Sequence, residues 1–459
     1  MSADAQPLKP QLAALIDALS RGLIERETPV RLALLAALAG EHLLLIGPPG
    51  TAKSDLARRL HRAFRDSAYF ERLLTRFSVP EELFGPLSIA ALEQDRYERQ
   101  IAGYLPSAAI AFIDEVFKAN SAILNALLTL LNEREFDNGA QRVATPLISV
   151  IGATNQVPED EVIAAFYDRF LLRYAVEPVS RDAFADLLAL PEEQTIDIAD
   201  ELCLTNADLT AITQHIDQVA LPAVVMDLLA ALRDFLAEEQ IYVSDRRWRK
   251  IVRLLKTSAL TNGRDAVSIW DLWLVQFCAT QSVEQRPRIE QWYGTQLGTY
   301  EALSLERFTR VVEAFEAQLE LEENANDLNY NAEGKLAMAA GLTDAKGGDA
   351  ALRMPSFLKQ RAYGPSHVAA RVAQTEELIA QLDDYLRKLD ETLGDLEREV
   401  REHLWLPPYF AATARANLEG TRNNAAALYH RIGRVKAGFG ALPCTESADD
   451  AAPQPIAVG

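Results

Sequence analysis

The sequence predicts an α/β protein in which a parallel sheet is followed by all-helical regions, and three observations indicate this. Between about residues 40 and 180, short apolar runs alternate with amphipathic stretches. A glycine-containing loop follows the first of these runs, and after about residue 181 helical patterns replace the strand signal. Such alternation is typical of a parallel sheet whose strand-end loops form the functional site.

Four apolar runs in the first part of the chain are predicted to be buried strands. These runs are His42–Gly47, Ala108–Asp114, Leu147–Gly152 and Phe170–Val176. Amphipathic helices are predicted between them, at Ser54–Arg65 and Ser121–Glu133. We therefore expect residues 1–180 to form one α/β domain.

The next region, residues 181–283, is predicted to be a small all-helical domain. Its helical patterns follow residues that suit a helix start, namely Thr205, Pro222, Ser244 and Ser268. The linker Glu284–Pro287 marks the end of this domain.

The last third of the chain, residues 284–440, contains three long seams of apolar residues spaced by three and four positions. They predict an antiparallel three-helix bundle or coiled-coil arm, the alternative being three ordinary amphipathic helices. Residues 322–367, rich in Asn, Gly, Ala and charge, are predicted to be a short flexible insertion, and residues 441–459 a disordered tail. Because the first two domains should close their own core before residue 282, we expect them to fold without residues 304–459.

Charge and cysteine content narrow the classes of partner and compartment. The 459 residues include 46 basic and 66 acidic side chains, for a formal net charge of −20, which disfavours nucleic acid and favours protein partners. Three widely separated cysteines exclude a disulfide framework and a zinc module and fit a reducing cytoplasm. Met1–Gln11 lacks the layout of a signal peptide, and no early apolar stretch could span a bilayer. A cytoplasmic protein without a membrane span is expected.

The loop after the first predicted strand has the composition of a phosphate-binding loop. It consists of Gly47, Pro48, Pro49, Gly50, Thr51, Ala52, Lys53 and Ser54. Its backbone N–H groups and the start of the following helix would surround the phosphates of ATP, with Lys53 as a point charge and the Ser54 hydroxyl on Mg²⁺. Ala52 stands where the strict motif has glycine, and a methyl group is tolerated there if φ stays negative. The alternative is a glycine-rich turn that starts a helix.

Polar side chains at the ends of two later strands complete this prediction. Asp114 would hold Mg²⁺ through water, and Glu115 would polarise the attacking water, the alternative being a capping role. Asn155 would orient that water and sense the γ-phosphate, the alternative being a turn-forming Asn.

Two arginines are candidates for contact with the γ-phosphate. Arg169, before the last strand, could reach the site of a neighbouring subunit, or it could pair with Asp168 or serve as a helix C-cap charge; Arg173 is the next candidate. Arg246 is preferred to Arg247 as a phosphate contact from the lid side, the alternative being a solvated basic helix start.

The ordered motifs GPPGTAKS, IAFIDE, GATN, YDRF and SDRRW resemble those of the MoxR group of AAA+ ATPases, and within it the RavA-type branch. The resemblance covers about residues 10–281 strongly and the rest only through its heptad-patterned helices. It implies a P-loop AAA+ core in residues 1–180, an all-α lid in 181–283, and a triple-helical domain. It also implies ATP hydrolysis with Mg²⁺ in a hexameric ring, with Arg169 acting in trans.

The resemblance further implies two inserted loops, around Phe84–Pro106 and Arg134–Val143, that engage the substrate. Members of the group commonly pair with a von Willebrand factor A (vWA) domain protein and act as chaperone-like remodelers, and a related branch reactivates Rubisco. This chain departs from the RavA-type branch at residues 322–367, which are too short for a folded insertion. A nucleic-acid motor and a passive nucleotide-dependent scaffold are the competing functions.

Overall fold

The computed structural model describes residues 8–156, 161–191, 198–280, 282–297, 305–328, 358–446 and 453–456. The strands of the first part of the chain are β1 (Leu43–Ile46), β2 (Tyr69–Leu73), β3 (Ile110–Asp114), β4 (Glu135–Asn138), β5 (Gln141–Ala144), β6 (Ser149–Thr154) and β7 (Leu172–Ala175). Five of them form one parallel sheet in the order β2-β3-β6-β1-β7. β4 and β5 form a separate antiparallel hairpin.

The α/β fold class is confirmed, and the four predicted apolar runs each contain a sheet strand. β1, β3 and β6 are almost entirely buried, as strands in the interior of a parallel sheet must be. The edge strand β2 was not predicted. Its residues mix charged and apolar side chains and are only partly buried, so it lacks the continuous apolar pattern of the other strands.

Helices pack against the sheet and continue into the lid region. The first eight are α1 (Leu8–Ser20), α2 (Glu27–Ala39), α3 (Lys53–Arg62), α4 (Pro80–Phe84), α5 (Ile89–Leu92), α6 (Ser121–Glu133), α7 (Glu161–Tyr167) and α8 (Phe184–Leu188). They are followed by α9 (Asn206–Ile216), α10 (Ala223–Glu238), α11 (Asp245–Thr261) and α12 (Arg286–Leu297).

Helix starts in the lid region agree with the predicted capping residues. The Thr205 and Ser244 side chains accept hydrogen bonds from the first turns of α9 and α11, and Pro222 precedes α10. The predicted fourth helix is a 3₁₀-helix, Ile269–Phe277, with a capping box at Ser268. Within the described residues, no helix combines the length and the apolar character needed to cross a membrane.

The chain divides into two compact units. Unit 1 contains residues 1–294 and 399–411, and unit 2 contains residues 295–398 and 412–459. Most of unit 2 comes from three long helices, α13 (Glu306–Glu323), α14 (Pro365–Glu399) and α15 (Pro408–Gly440), as the apolar seams predict. The four-domain division of the sequence analysis stays a prediction.

The loop between α14 and α15 belongs to unit 1, whereas the sequence analysis placed it in the bundle. Trp405 in this loop is 0% exposed, and its indole N–H donates to Thr261 Oγ1 at 2.9 Å. The Leu404 N–H donates to Asn262 Oδ1 at 3.0 Å. The core of unit 1 is therefore not closed before residue 282, and the expectation that it folds without residues 304–459 must be revised.

The predicted insertion and tail are partly described. Two short strands, β8 (Asn326–Leu328) and β9 (Leu358–Gln360), pair antiparallel, and residues 329–357 between them lie outside the described residues. In the tail, the Tyr363 N–H donates to Pro443 O at 2.8 Å, and Leu442 is buried. Leu442 and Pro443 are therefore held against the rest of unit 2, although the composition predicts a disordered tail from residue 441.

Candidate nucleotide site

The site is built at the edge where the parallel strands end, here called the carboxyl edge. Strand pairing brings Ile46 opposite Thr154, and Leu73 opposite Asp114. The phosphate loop, residues Gly47–Ser54, therefore lies at the same edge as Asp114, Glu115 and Asn155. The structure brings these predicted residues together because they all follow strand ends in one parallel sheet.

The phosphate loop is fixed by close backbone contacts. The Gly47 N–H donates to Thr154 O at 3.0 Å, and a Cβ atom at Gly47 would lie 2.1 Å from Val176 O. Gly50 has φ of 79°. At position 47 only glycine fits, because a Cβ atom would clash with Val176 O. At position 50 glycine is favoured because the backbone is left-handed.

Ala52 has φ of 63°, so the expectation that its φ stays negative is wrong. It precedes α3 as the residue that turns the loop into the helix. A left-handed conformation costs an L-residue about 1–2 kcal/mol, because Cβ approaches the following carbonyl oxygen. Such strain persists where surrounding structure imposes it, often at functional sites.

Lys53 is buried, with its Nζ 2.7 Å from the carbonyl oxygens of both Gly47 and Pro48. Burial lowers the pKa of Lys53, and the negative charges of Asp114 and Glu115 oppose that shift. The ammonium group thus lies inside the phosphate loop and close to the carboxylates, where a bound phosphate would also be placed.

Glu115 begins a 3₁₀ turn with a left-handed backbone, at φ of 52°. Its Oε1 accepts a hydrogen bond from Asn155 Nδ2 at 2.8 Å and lies 3.2 Å from Lys118 Nζ. The neighbouring carboxylate of Asp114 accepts the Glu115 N–H at 2.9 Å. Two acidic groups and an amide therefore meet opposite the phosphate loop.

The donor set suits Mg²⁺. Ser54 supplies a hydroxyl and Asp114 a carboxylate, which are the hard oxygen ligands that this ion prefers. Among the described residues, no group of three or more His, Cys, Asp or Glu side chains could hold a metal ion by itself. Mg²⁺ commonly keeps several waters and binds substrate phosphates in addition to one or two protein ligands.

A cavity of about 540 Å³ adjoins the phosphate loop. Its wall includes loop residues together with the apolar side chains of Leu23, Ile24, Val179 and Leu187. Arg26 also lines it, and its guanidinium donates to Thr51 O at 3.2 Å and to Glu177 O at 2.7 Å. The sequence analysis missed Arg26, because an arginine before a helix carries no motif of its own.

Arg169 lies at the opposite edge of the sheet, here called the amino edge, because it precedes β7, which is parallel to β1. Burial and the nearby charge of Arg246 lower the pKa of Arg169. Its buried Nε has no hydrogen-bond partner among the described residues. Asp168, its suspected partner, instead pairs with Arg247 at 3.0 Å.

Arg246 also lies at the amino edge. Its Nη2 donates at 2.8 Å to Asn132 Oδ1, near the end of α6. The residue before Asn132, Leu131, contacts His42, which lies just before β1 at the same edge. Arg246 is not among the residues lining the cavity beside the phosphate loop. The contact of Arg246 with phosphate from the lid side stays a prediction.

Two other arginines at this edge are structural. Arg247 is buried and donates to backbone oxygens of Asp168, Phe170 and Leu171, which joins α11 to the sheet. Arg173 is buried with its guanidinium 3.7 Å from the centre of the Tyr167 ring, and burial lowers its pKa to about 9. Arg173 is therefore unsuited to reach another subunit.

The two inserted loops contact each other. Asn138, at the turn of the β4–β5 hairpin, accepts the Arg99 N–H at 2.7 Å, and a Cβ atom at Gly139 would lie 2.0 Å from Tyr97 O. Several large apolar side chains near these loops are exposed, at Phe77, Ile89, Leu92 and Tyr97. The loops thus form one joined element with exposed apolar groups.

Comparison with known proteins identifies two regions. Residues 10–214 match a model described as the MoxR domain in MoxR-vWA-beta-propeller ternary systems, and residues 224–293 match an AAA lid domain. A solved structure of a candidate ATPase from Cytophaga hutchinsonii aligns with 63% of this chain and 94% of its own, at 19% identity and a TM-score of 0.50. That likeness concerns the fold alone.

Relatives in sequence agree with these matches. An uncharacterized protein of Methanocaldococcus jannaschii is 40% identical over 58% of this chain and 69% of its own length. A second uncharacterized protein of the same organism is 42% identical over 54% of this chain and 66% of its own length. Protein MoxR of Paracoccus denitrificans is 29% identical over 54% of this chain and 81% of its own length. Fold and site together define an AAA+ protein with a nucleotide-binding site. Residues 10–214 match a MoxR-type AAA+ domain, and an AAA lid domain follows it at residues 224–293.

Proposed function

We propose that the chain is an ATP-hydrolysing motor. The observation that carries this proposal is the contact of Glu115 with Asn155 at 2.8 Å, at the carboxyl edge that also holds Lys53. A carboxylate oriented by an amide beside a phosphate loop can accept a proton from an attacking water. A passive nucleotide-dependent scaffold would not need this pair.

Each residue of the site has a role in this proposal. Lys53 and the loop N–H groups bind the phosphates of ATP, and Glu115 polarises the water that Asn155 helps to orient. Ser54 and Asp114 would hold Mg²⁺, which supplies charge neutralisation at the β- and γ-phosphates when bound.

The amino-edge arginines support a ring. Arg169 and Arg246 lie at the edge of the sheet away from their own phosphate loop, and the unpartnered Nε of Arg169 suits an anion. Neither residue lines the cavity beside its own phosphate loop, so both are candidates to contact a phosphate bound to a neighbouring subunit. We therefore propose a homo-hexamer in which Arg169 and Arg246 act together in trans.

We further propose that the motor remodels or activates protein complexes together with a vWA domain protein. The matched model is described from MoxR-vWA-beta-propeller systems, which supports such a partner. The joined loops with exposed apolar groups are candidates to engage the client. The RavA-type branch stays a prediction, supported by helices α13, α14 and α15, and a Rubisco-activase type of motor is the alternative within this class.

A nucleic-acid-associated motor is favoured by one observation. Five cationic side chains line a cavity of about 570 Å³ along α11, at Arg246, Arg249, Lys250, Arg253 and Lys256. This local patch differs from the acidic composition of the whole chain. Filter binding of DNA and RNA at low salt decides between the functions, since phosphate contacts weaken steeply as salt rises.

The test of the motor uses two variants. Lys53→Ala should abolish ATP binding, whereas Glu115→Gln should bind ATP and lose hydrolysis, because an amide cannot polarise water as a carboxylate does. Calorimetry measures the binding and phosphate release measures the turnover. Wild-type turnover in Glu115→Gln would show that the base lies elsewhere, and client proteins that co-purify with this variant would identify the pathway.

A further inference from the structure

We propose that Lys118 is a positioning residue for hydrolysis, acting through Glu115. The inference rests on the proposed role of Glu115 as the group that polarises the attacking water. Lys118 Nζ lies 3.2 Å from Glu115 Oε1, the same oxygen that accepts the Asn155 amide at 2.8 Å. A hydrogen bond and an ion pair at one carboxylate oxygen orient the group and leave Oε2 to accept the proton from water.

The backbone places Lys118 for this contact. Glu115 has a left-handed backbone, and the Lys118 N–H donates to Glu115 O at 2.8 Å, which closes one 3₁₀ turn. This turn brings Lys118 back beside Glu115, with its Nζ within reach of the carboxylate. Val116 and Phe117 between them are buried, so the turn is anchored to the core and Lys118 is held over Glu115.

Burial separates this pair from an ordinary surface ion pair. The Glu115 side chain is 12% exposed and that of Lys118 is 55% exposed, so the cation shields a carboxylate that is mostly removed from solvent. Because Lys118 itself is mostly in solvent, loss of its charge should cost little stability. We expect Lys118 to affect the rate of hydrolysis and to leave the stability of the fold nearly unchanged.

Two further charged groups, Lys53 and Asp114, lie near the Glu115 carboxylate. Lys53 is close enough for Glu115 and Asp114 to influence its pKa, and the Asp114 carboxylate accepts the Glu115 N–H. Lys53 is committed to the phosphate loop by its contacts with two carbonyl oxygens. Lys118 is therefore the cation available to orient Glu115 while Lys53 binds phosphate.

The experiment compares Lys118→Met with Lys118→Arg in the full chain. Lys118→Met keeps the length of the side chain and removes its charge, and we expect kcat to fall about tenfold while KM for ATP changes by less than about twofold. Lys118→Arg keeps the charge and should recover most of kcat. A rise in KM with unchanged kcat, or wild-type kcat in Lys118→Met, would overturn the proposal.

The combination with Glu115→Gln tests whether Lys118 acts through Glu115. In single-turnover assays, adding Lys118→Met to Glu115→Gln should cause no further loss, because the carboxylate that Lys118 orients is already gone. A further tenfold loss in the double variant would overturn the proposal and leave the role of Glu115 intact. Wild-type hydrolysis by Glu115→Gln alone would overturn both.

Discussion

His403 Nε2 lies 3.0 Å from Asp271 Oδ1, and this contact joins the loop between the two longest helices to the lid region of unit 1. Both residues are buried, and Arg264 donates to both oxygens of the same carboxylate. The neighbouring Trp405 fills the core. Residues 399–411 are therefore part of the fold of unit 1, although they are far from it in sequence.

Deletion of residues 304–459 should destabilise the remaining part of unit 1. It removes the buried Trp405 and the partner of Asp271, and the loss of a buried Trp side chain alone typically costs about 3–5 kcal/mol. Thermal unfolding and ATP binding measure the effect. The matched control is a second shortened protein that keeps residues 399–411. Short linkers replace the helical segments before and after this loop. Equal stability of the two shortened proteins would contradict a structural role for the loop.

Stability should fall as the pH drops below about 6.5. Burial lowers the pKa of His403 from its ordinary value of 6.5. The backbone N–H of Trp405 donates to His403 Nδ1. The neutral ring therefore carries its proton on Nε2, which faces Asp271. The unfolded chain then binds more protons than the folded chain below pH 6.5, and stability is present above that pH and lost below it.

The measurement is the urea midpoint of unfolding at pH 7.5 and 5.5, for wild type and His403→Gln. When the pH falls from 7.5 to 5.5, His403→Gln should lose less stability than wild type. This holds even if the variant is the less stable of the two at pH 7.5. Some pH dependence should remain, because burial also holds the pKa of His42 well below its ordinary value. An unchanged pH dependence in His403→Gln would exclude His403 as its source.

Ala52→Gly should stabilise the protein by up to about 1 kcal/mol. Glycine removes the left-handed strain at φ of 63°, and its greater entropy in the unfolded chain offsets part of that gain. Ala57→Gly in the following helix α3 is the control, and it should destabilise by about 1 kcal/mol or more because Ala57 is buried in a helix interior. Similar losses in both variants would show that Ala52 is not strained.

The sequence predicts local features well, because their signals lie in adjacent residues. The phosphate loop, the apolar strand before Asp114, and the caps at Thr205 and Ser244 all depend on short patterns. Contacts between distant residues leave no such pattern. His403 is 132 positions from Asp271, and Arg246 is 114 positions from Asn132, so neither contact could be predicted. Lys118 carried a usable signal, since it follows Glu115 at the spacing of one 3₁₀ turn.

Arg169→Ala should bind ATP almost normally and hydrolyse it poorly. The arginine lies at the amino edge, away from the phosphate loop of its own chain, and in the proposed ring it stabilises transition-state charge in a neighbour's site. Such arginines are worth about three to five orders of magnitude in rate in other phosphoryl-transfer enzymes. Arg173→Ala is not a suitable control because Arg173 is buried, whereas Arg249→Ala removes a cation of α11 without touching Arg169.

Mixing Arg169→Ala with Lys53→Ala tests whether the site is shared. Each variant should be inactive alone, but in a mixed ring an intact Lys53 site can lie beside a subunit with an intact Arg169. Some turnover should return at suitable mixing ratios of the two variants. A site shared by two subunits can then contain both an intact Lys53 and an intact Arg169. Arg246→Ala mixed with Lys53→Ala should behave in the same way, because Arg246 lies beside Arg169. If fluorescence confirms that subunits exchange and no ratio restores turnover, the arginines do not act in trans.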